Sequence, residues 1–183
     1  MRKYSTLKKI CKDFARKNKS ITDIVLFGSF AREKTKPKDI DLALIILEKI
    51  NAEKLQSQIE RKLKLPVHIS ILKSKSLFKE TLWKTIMHEG ISLLRGKEVS
   101  EMLGFEPLVL FWYNLSKLKQ SDKVRFSYAL FGRDGKSGIL KKIRGKSLGK
   151  GVLLVPVKKE DELRKFFFHW EVGFNRRRVL AEI

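Results

Sequence analysis

Leu7, Ile10, Cys11 and Phe14 recur at three- and four-residue spacing. That period puts them on one face and predicts an amphipathic helix over residues 3–18. Ile24-Val25-Leu26-Phe27 is a continuous apolar run that stops at Gly28, as a buried strand would. A polar, lysine-rich stretch over 30–38 closes at Pro37, and a second apolar run follows from Ile40 to Leu47 with acids at its start. Asn51 is placed to cap a helix that runs to about Lys64. Pro66 opens a third predicted strand, Val67 to Leu72, and residues 76–89 predict another helix with Leu77, Phe78, Leu82, Trp83 and Ile86 on one side. Gly90 stops that helix, and Ile91 to Leu94 is a short further segment. Helices alternating with apolar strands in this way describe an α/β layer over a mostly apolar sheet.

The pattern then changes. Leu103 to Pro107 reads as a boundary, giving expected domains of 1–100 and 104–183. Residues 108–131 read as helical with a break near Ser121-Asp122. Residues 132–151 are rich in Gly and Lys, Val152 to Val157 reads as a strand, and 160–172 as a helix. There is no internal repeat. Trp83, Trp112 and Trp170 are assigned to packing.

Charge changes the picture. The 183 residues carry 41 Lys and Arg against 20 Asp and Glu, a formal net charge of +21. The excess is spread as +12 over residues 1–100 and +9 over 101–183. A field of this sign attracts polyanions, nucleic acid above all. No apolar run is long enough for a membrane span, and no secretory leader is visible, so the expected compartment is the cytoplasm. Cys11 is the single cysteine, which excludes an internal disulfide, and its place on the apolar helix face reads as core. Abundant Lys and Glu with scarce Cys lean towards a thermophilic source.

Candidate chemistry gathers at Phe27-Gly28-Ser29-Phe30-Ala31-Arg32 and, with nine residues between Ser29 and the next motif, at Asp39-Ile40-Asp41-Leu42. Gly28 lets backbone approach a phosphate closely. Ser29 and neighbouring amides can hold phosphate oxygens. On a strand, Asp39 and Asp41 point to the same side and can grip Mg²⁺ bound to a triphosphate. Arg32 is a fixed cation in the same loop, while Lys34, Lys36 and Lys38 raise local anion affinity.

The run LFGSFAR…DIDLALI resembles the minimal nucleotidyltransferases of the DNA polymerase β superfamily over about residues 20–96. The resemblance implies an α/β fold, a nucleotidyltransferase-like mixed sheet flanked by helices, here followed by a smaller basic α+β C-terminal domain. It implies Mg²⁺ and an NTP, ATP first, with Gly28, Ser29 and Arg32 binding nucleotide and Asp39 and Asp41 binding metal. The antitoxin-like members carry ten residues between the two motifs, against nine here. The family also carries a third carboxylate on the next core strand. That strand reads Pro66-Val67-His68-Ile69-Ser70-Ile71-Leu72 and has no acid. With Val67 and Ile69 facing the core, His68 faces the site, as a metal ligand, a base, or a polar residue left where catalysis has lapsed.

The second half holds weaker signals. Gly145-Lys146-Ser147 lacks the glycine a P-loop needs five residues earlier, where Leu140 stands. Arg164 and His169 match the Arg-x4-His spacing of a ribonuclease family that partners these transferases, but Phe166-Phe167-Phe168 and Trp170 around them read as core. Gly132-Arg133-Asp134-Gly135 is similar to the phosphate-clamping loop of KH domains. Tyr113, Phe126 and Tyr128 could stack on bases or pack in the core. From Lys123 to Gly151 there are nine basic residues and one acid: Lys123, Arg125, Arg133, Lys136, Lys141, Lys142, Arg144, Lys146 and Lys150, against Asp134. With Arg176, Arg177 and Arg178 they form the expected RNA footprint.

Two functions follow. One is Mg-dependent transfer of a nucleotide to RNA or an RNA-associated acceptor. The other is a weak or inactive transferase fold that binds structured RNA, such as tRNA or a ribosomal subunit, as a scaffold. A lesser third reading, by family analogy, is the antitoxin half of a toxin pair. The apolar C-terminal helices could also pack against a copy in a homodimer.

Overall fold

The computed structural model describes residues 2–31, 37–133, 135 and 137–183. Arg32, Lys34, Lys36, Asp134 and Lys136 lie outside the described residues. The chain divides into two compact units, Met1–Gly104 and Phe105–Ile183.

In the first unit, α1 (Arg2–Lys17) leads into β1 (Ile21–Phe27), the one-turn α2 (Gly28–Ala31), β2 (Ile40–Ile46), α3 (Glu53–Leu63) and β3 (Val67–Lys73). Then come α4 (Thr81–Glu89), β4 (Ile91–Ser92) and α5 (Val99–Met102). The sheet runs β3-β2-β1-β4. β2 pairs parallel with β3, and β1 pairs antiparallel with β2 and β4.

Both faces of this sheet are covered, which is why its strands read as unbroken apolar runs instead of alternating ones. Leu7, Ile10 and Cys11 of α1 and Leu55, Ile59 and Leu63 of α3 pack on Ile24, Leu26, Ile40, Leu42 and Leu44. Val25, Ala43, Ile45 and Leu72 meet Ile86 of α4 and Val99 of α5 on the other face. Asn51 Oδ1 accepts from Glu53 N at 2.9 Å and steers the chain into α3, with Ala52 at the N-cap itself.

The expected helix over 76–89 is two pieces. A 3₁₀ stretch covers Ser74–Lys79, Glu80 is extended, and only Thr81–Glu89 is α-helical. Phe78 consequently leaves the predicted apolar face, is 86% exposed, and meets Trp83 edge-on.

The second unit contains β5 (Phe105–Tyr113), α6 (Gln120–Phe131), α7 (Ile139–Lys142), β6 (Lys146–Gly149), β7 (Val152–Pro156), α8 (Glu160–His169) and β8 (Phe174–Glu182). Its antiparallel sheet runs β6-β7-β5-β8. One expectation is corrected here. Residues 108–131 are not one broken helix, because Phe105–Tyr113 is the strand on which β7 and β8 both pair. Its β-branched and aromatic content, alternating in burial at Val109, Phe111 and Tyr113 against Leu110 and Trp112, suits a pleated half-buried surface. Arg176 to Arg178 stand on β8. The core behind the sheet joins Val109, Phe111, Leu153 and Val155 to Phe126 and Leu130 of α6, Leu140 of α7, and Leu163 and Phe167 of α8. No helix of the described residues is long and apolar enough to cross a membrane.

Candidate metal and nucleotide site

The register of the first sheet places Asp41 in one row with Phe27 on β1 and His68 on β3. Asp41 shares its face with Ala43 and Ile45, so it stands where the apolar packing of that face ends. Asp39 precedes the strand by one residue and, two positions from Asp41, leans to the same side. The Ser29 hydroxyl donates to Asp39 Oδ1 at 3.1 Å, which ties the loop after β1 to the start of β2. His68 Nδ1 lies 3.5 Å from Asp41 Oδ1; the imidazole is 67% exposed and the Asp41 side chain 24%.

One ligand atom from each of Asp39, Asp41 and His68 lies within 4.8 Å of the others. Two carboxylates and an imidazole that close fit a single divalent cation. The group is half-buried at its carboxylates and open at His68, as a site reached by a triphosphate must be. Gly28 has φ +74, and a side chain there would occupy the place of the Asp41 carboxylate, with Asp41 Cγ only 3.1 Å from an added Cβ. The backbone turn after β1 thus comes up directly against Asp41. Among the described residues no third carboxylate joins the group; β3 supplies His68 in its place. A cavity of about 280 Å³ borders the same loop through Phe30 and Ala31, and Tyr4, Lys97 and Glu98 line its other side. None of the three donors lines it, so the donor geometry and not the cavity marks the candidate metal site. Arg32, the remaining expected nucleotide ligand, lies outside the described residues.

A second polar group was not expected from the sequence. Asp23 is 4% exposed on β1 and accepts from Ser92 Oγ at 2.9 Å and Arg95 Nη1 at 2.6 Å. It clamps β1 to β4 and the turn after it. Cys11 is fully buried, and burial pushes its thiol up to about 12.

In the second unit, Lys141, Lys142, Arg144, Lys146 and Lys150 are exposed, and among the described residues none has a carboxylate partner. Arg125 is exposed beside Asp122, and Arg133 lies over the Tyr128 ring at 5.5 Å. Lys123 is half-buried, and Lys136 lies outside the described residues. The three C-terminal arginines part company. Arg176 and Arg178 both pair with Glu160 on α8, which is 5% exposed; Arg178 Nη2 is 3.1 Å away. Arg177 points to the opposite face. Two of the three expected RNA contacts therefore hold the fold together. Tyr113 and Phe126 pack against each other and Phe167, and burial raises the Tyr113 hydroxyl's pKa, while Tyr128 stays exposed. Trp112, assigned to packing, is 39% exposed. The alternation of β5 carries that signal, hidden as long as the segment is read as helix.

No curated protein matches the chain. Among solved structures, the toxin–antitoxin MntA-HepT in a mutant form is similar at 17% identity, covering 55% of this chain and 78% of that one, with a TM-score of 0.38. A toxin–antitoxin structure with AMP-PNP is similar at 19% identity over 52% of this chain and 78% of that one, with a TM-score of 0.37. A protein from Sulfolobus solfataricus assigned as a nucleotidyltransferase is similar at 17% identity over 50% and 78%, with a TM-score of 0.34. The family described as polymerase beta, nucleotidyltransferase, matches residues 8–98, a span that contains Gly28, Ser29, Asp39, Asp41 and His68. Residues 8–98 of this chain are a nucleotidyltransferase domain of the polymerase beta family.

Proposed function

We propose that the protein is a cytoplasmic nucleotidyltransferase that moves a nucleoside monophosphate from an NTP, ATP first, to an RNA acceptor. The convergence of Asp39, Asp41 and His68 within 4.8 Å carries the reading. Asp39 and Asp41 would hold Mg²⁺, with His68 completing the donor set. Magnesium, when bound, supplies a Lewis acid that draws charge from the triphosphate. Ser29 holds Asp39 in place, and the missing side chain of Gly28 makes room for the Asp41 carboxylate. An acceptor hydroxyl oxygen forms a bond to the α-phosphorus, the bond to the bridging oxygen breaks, and pyrophosphate leaves with that electron pair. The acceptor's proton passes to solvent. The net charge of +21 favours RNA over a small uncharged acceptor.

A second reading has its own observation. His68 stands on β3 where the family carries a carboxylate, so the domain would be retained as a scaffold that binds tRNA or a ribosomal subunit with little transfer. One experiment separates the two. Each α-labelled NTP is mixed with the protein, Mg²⁺ or Mn²⁺, and total RNA, beside the Asp39→Ala, Asp41→Ala double variant. Label entering RNA only with the intact protein supports transfer. No label above the double variant, with both proteins still binding RNA, overturns transfer to RNA and leaves the scaffold.

A further inference from the structure

Among the described residues, the helices of the second unit pack on one side of its sheet; on the other side Leu108 is buried while Leu110 and Trp112 are not. Residues 109, 111, 153 and 155 face those helices and are fully buried. Their neighbours in sequence must face the other way. The pairing register fixes what stands there. Lys146 on β6 is opposite Leu154 on β7, Leu154 opposite Leu110 on β5, and Leu110 opposite Arg177 on β8. These four form one row across the whole sheet, with a cation at each edge and two half-buried leucines between. The next row holds Val152, Trp112 and Asn175. Trp112 is thus a partly exposed aromatic one row from the apolar strip whose edges carry Lys146 and Arg177, both exposed.

We propose that this face binds unpaired RNA, with a base stacked on Trp112 and the flanking phosphates held by Lys146 and Arg177. Three features choose the occupant. The charge is placed at the edges, where a strand crossing the sheet carries phosphates, while the centre is apolar and aromatic, as a base face requires. A duplex hides its bases and offers nothing to Trp112. Asn175 is exposed beside Trp112, and its amide both donates and accepts, as a 2′-hydroxyl does. The strand's period also explains why Arg177 serves here while Arg176 and Arg178, on the helix side, pair with Glu160. Solubility alone would place charge anywhere on the sheet; it does not account for a partly exposed tryptophan in the row beside two edge cations.

The inference deepens the reading of RNA as acceptor, and its test is independent of transfer. Binding of labelled ten-residue oligo-U, oligo-dT and a ten-base-pair RNA duplex to the full chain is measured without NTP or metal, at several salt concentrations. Oligo-U is expected to bind most tightly. Trp112→Ala is expected to weaken it about 5- to 150-fold, the range for one lost stacked base, while Trp112→Phe keeps most of the affinity. Arg177→Gln and Lys146→Gln should each lower the slope of log affinity against log salt by about 0.7, and Lys165→Gln, on α8, should leave affinity within about twofold. Melting curves of each variant establish that it is folded. Oligo-U affinity unchanged in a folded Trp112→Ala protein, or duplex bound as tightly as oligo-U, overturns the proposal; oligo-dT bound as tightly as oligo-U overturns the choice of RNA. Oligo-U binding that depends on Trp112 in a protein that transfers no label leaves this inference standing and removes only the transferase reading.

Discussion

Gly28 and Asp41 share one space: the turn after β1 needs φ +74, and the side chain that Gly28 lacks would overlap the Asp41 carboxylate. The loop after β1 and the start of β2 are therefore fitted to each other at one residue. Gly28→Ala is expected to push Asp41 off its position beside Asp39 and His68, because a carboxylate rotates more easily than backbone moves. The left-handed conformation adds about 1–2 kcal/mol of strain. Metal affinity should fall by about 10–100-fold, the range for a disturbed ligand support. Mn²⁺ titration followed by electron paramagnetic resonance reads this directly. Undiminished Mn²⁺ binding would show that the acids do not depend on the close approach.

His68 is the point where this chain departs from its family. Carboxylates suit Mg²⁺, whereas an imidazole favours later divalent ions. Mn²⁺ is therefore expected to bind the site more tightly than Mg²⁺. His68→Asp, which restores a third acid beside Asp41, should raise Mg²⁺ affinity by about tenfold, or about 1.4 kcal/mol. Isothermal titration with both ions checks the ordering. Equal Mg²⁺ affinity in the variant would mean that β3 does not contribute a ligand.

Glu160 anchors Arg176 and Arg178 from a nearly buried position. Glu160→Gln leaves two guanidinium groups short of their partner, at a cost of about 1–3 kcal/mol, reduced by the partial exposure of both arginines. For a unit of this size that is about 4–8 °C in melting temperature for each kcal/mol. Arg177→Gln should change stability by less than about 0.5 kcal/mol. Calorimetry of the two variants distinguishes an arginine that holds the fold from one that does not.

Cys11 supplies a pH test. Its thiol ionises near 9.0 when exposed and near 12 in the fold, so the folded protein keeps a proton that the unfolded chain loses between those values. Fewer protons on the unfolded chain mean that stability falls as pH rises through that window, by up to about 1.4 kcal/mol for each pH unit. The contribution is fully present below pH 9.0. Cys11→Val should flatten this part of the pH–stability curve, measured by urea unfolding. At pH 8 the native thiol should resist alkylation until the chain unfolds.

Local signals fixed much of the first unit. Gly28-Ser29 and Asp39-Ile40-Asp41 lie between apolar runs, and such runs read correctly as strands because a sheet covered on both faces needs no alternation. Charge was equally legible, since it depends on composition alone. What the chain could not display is pairing between distant segments. Nothing in Val67-His68-Ile69 announces that a parallel register will set His68 beside Asp41, and nothing near Gly28 announces that Asp41 will fill its missing side chain. In the second unit, residues 108–131 read as helical, and the pairing of Phe105–Tyr113 with β7 and β8 makes that first part a strand instead. That choice moved Trp112 to an exposed face and divided three adjacent arginines between Glu160 and solvent. The sequence by itself determined which chemistry was present and the local period of its strongest elements. Tertiary structure decided which side chains meet, because the energy that selects a register comes from partners far along the chain.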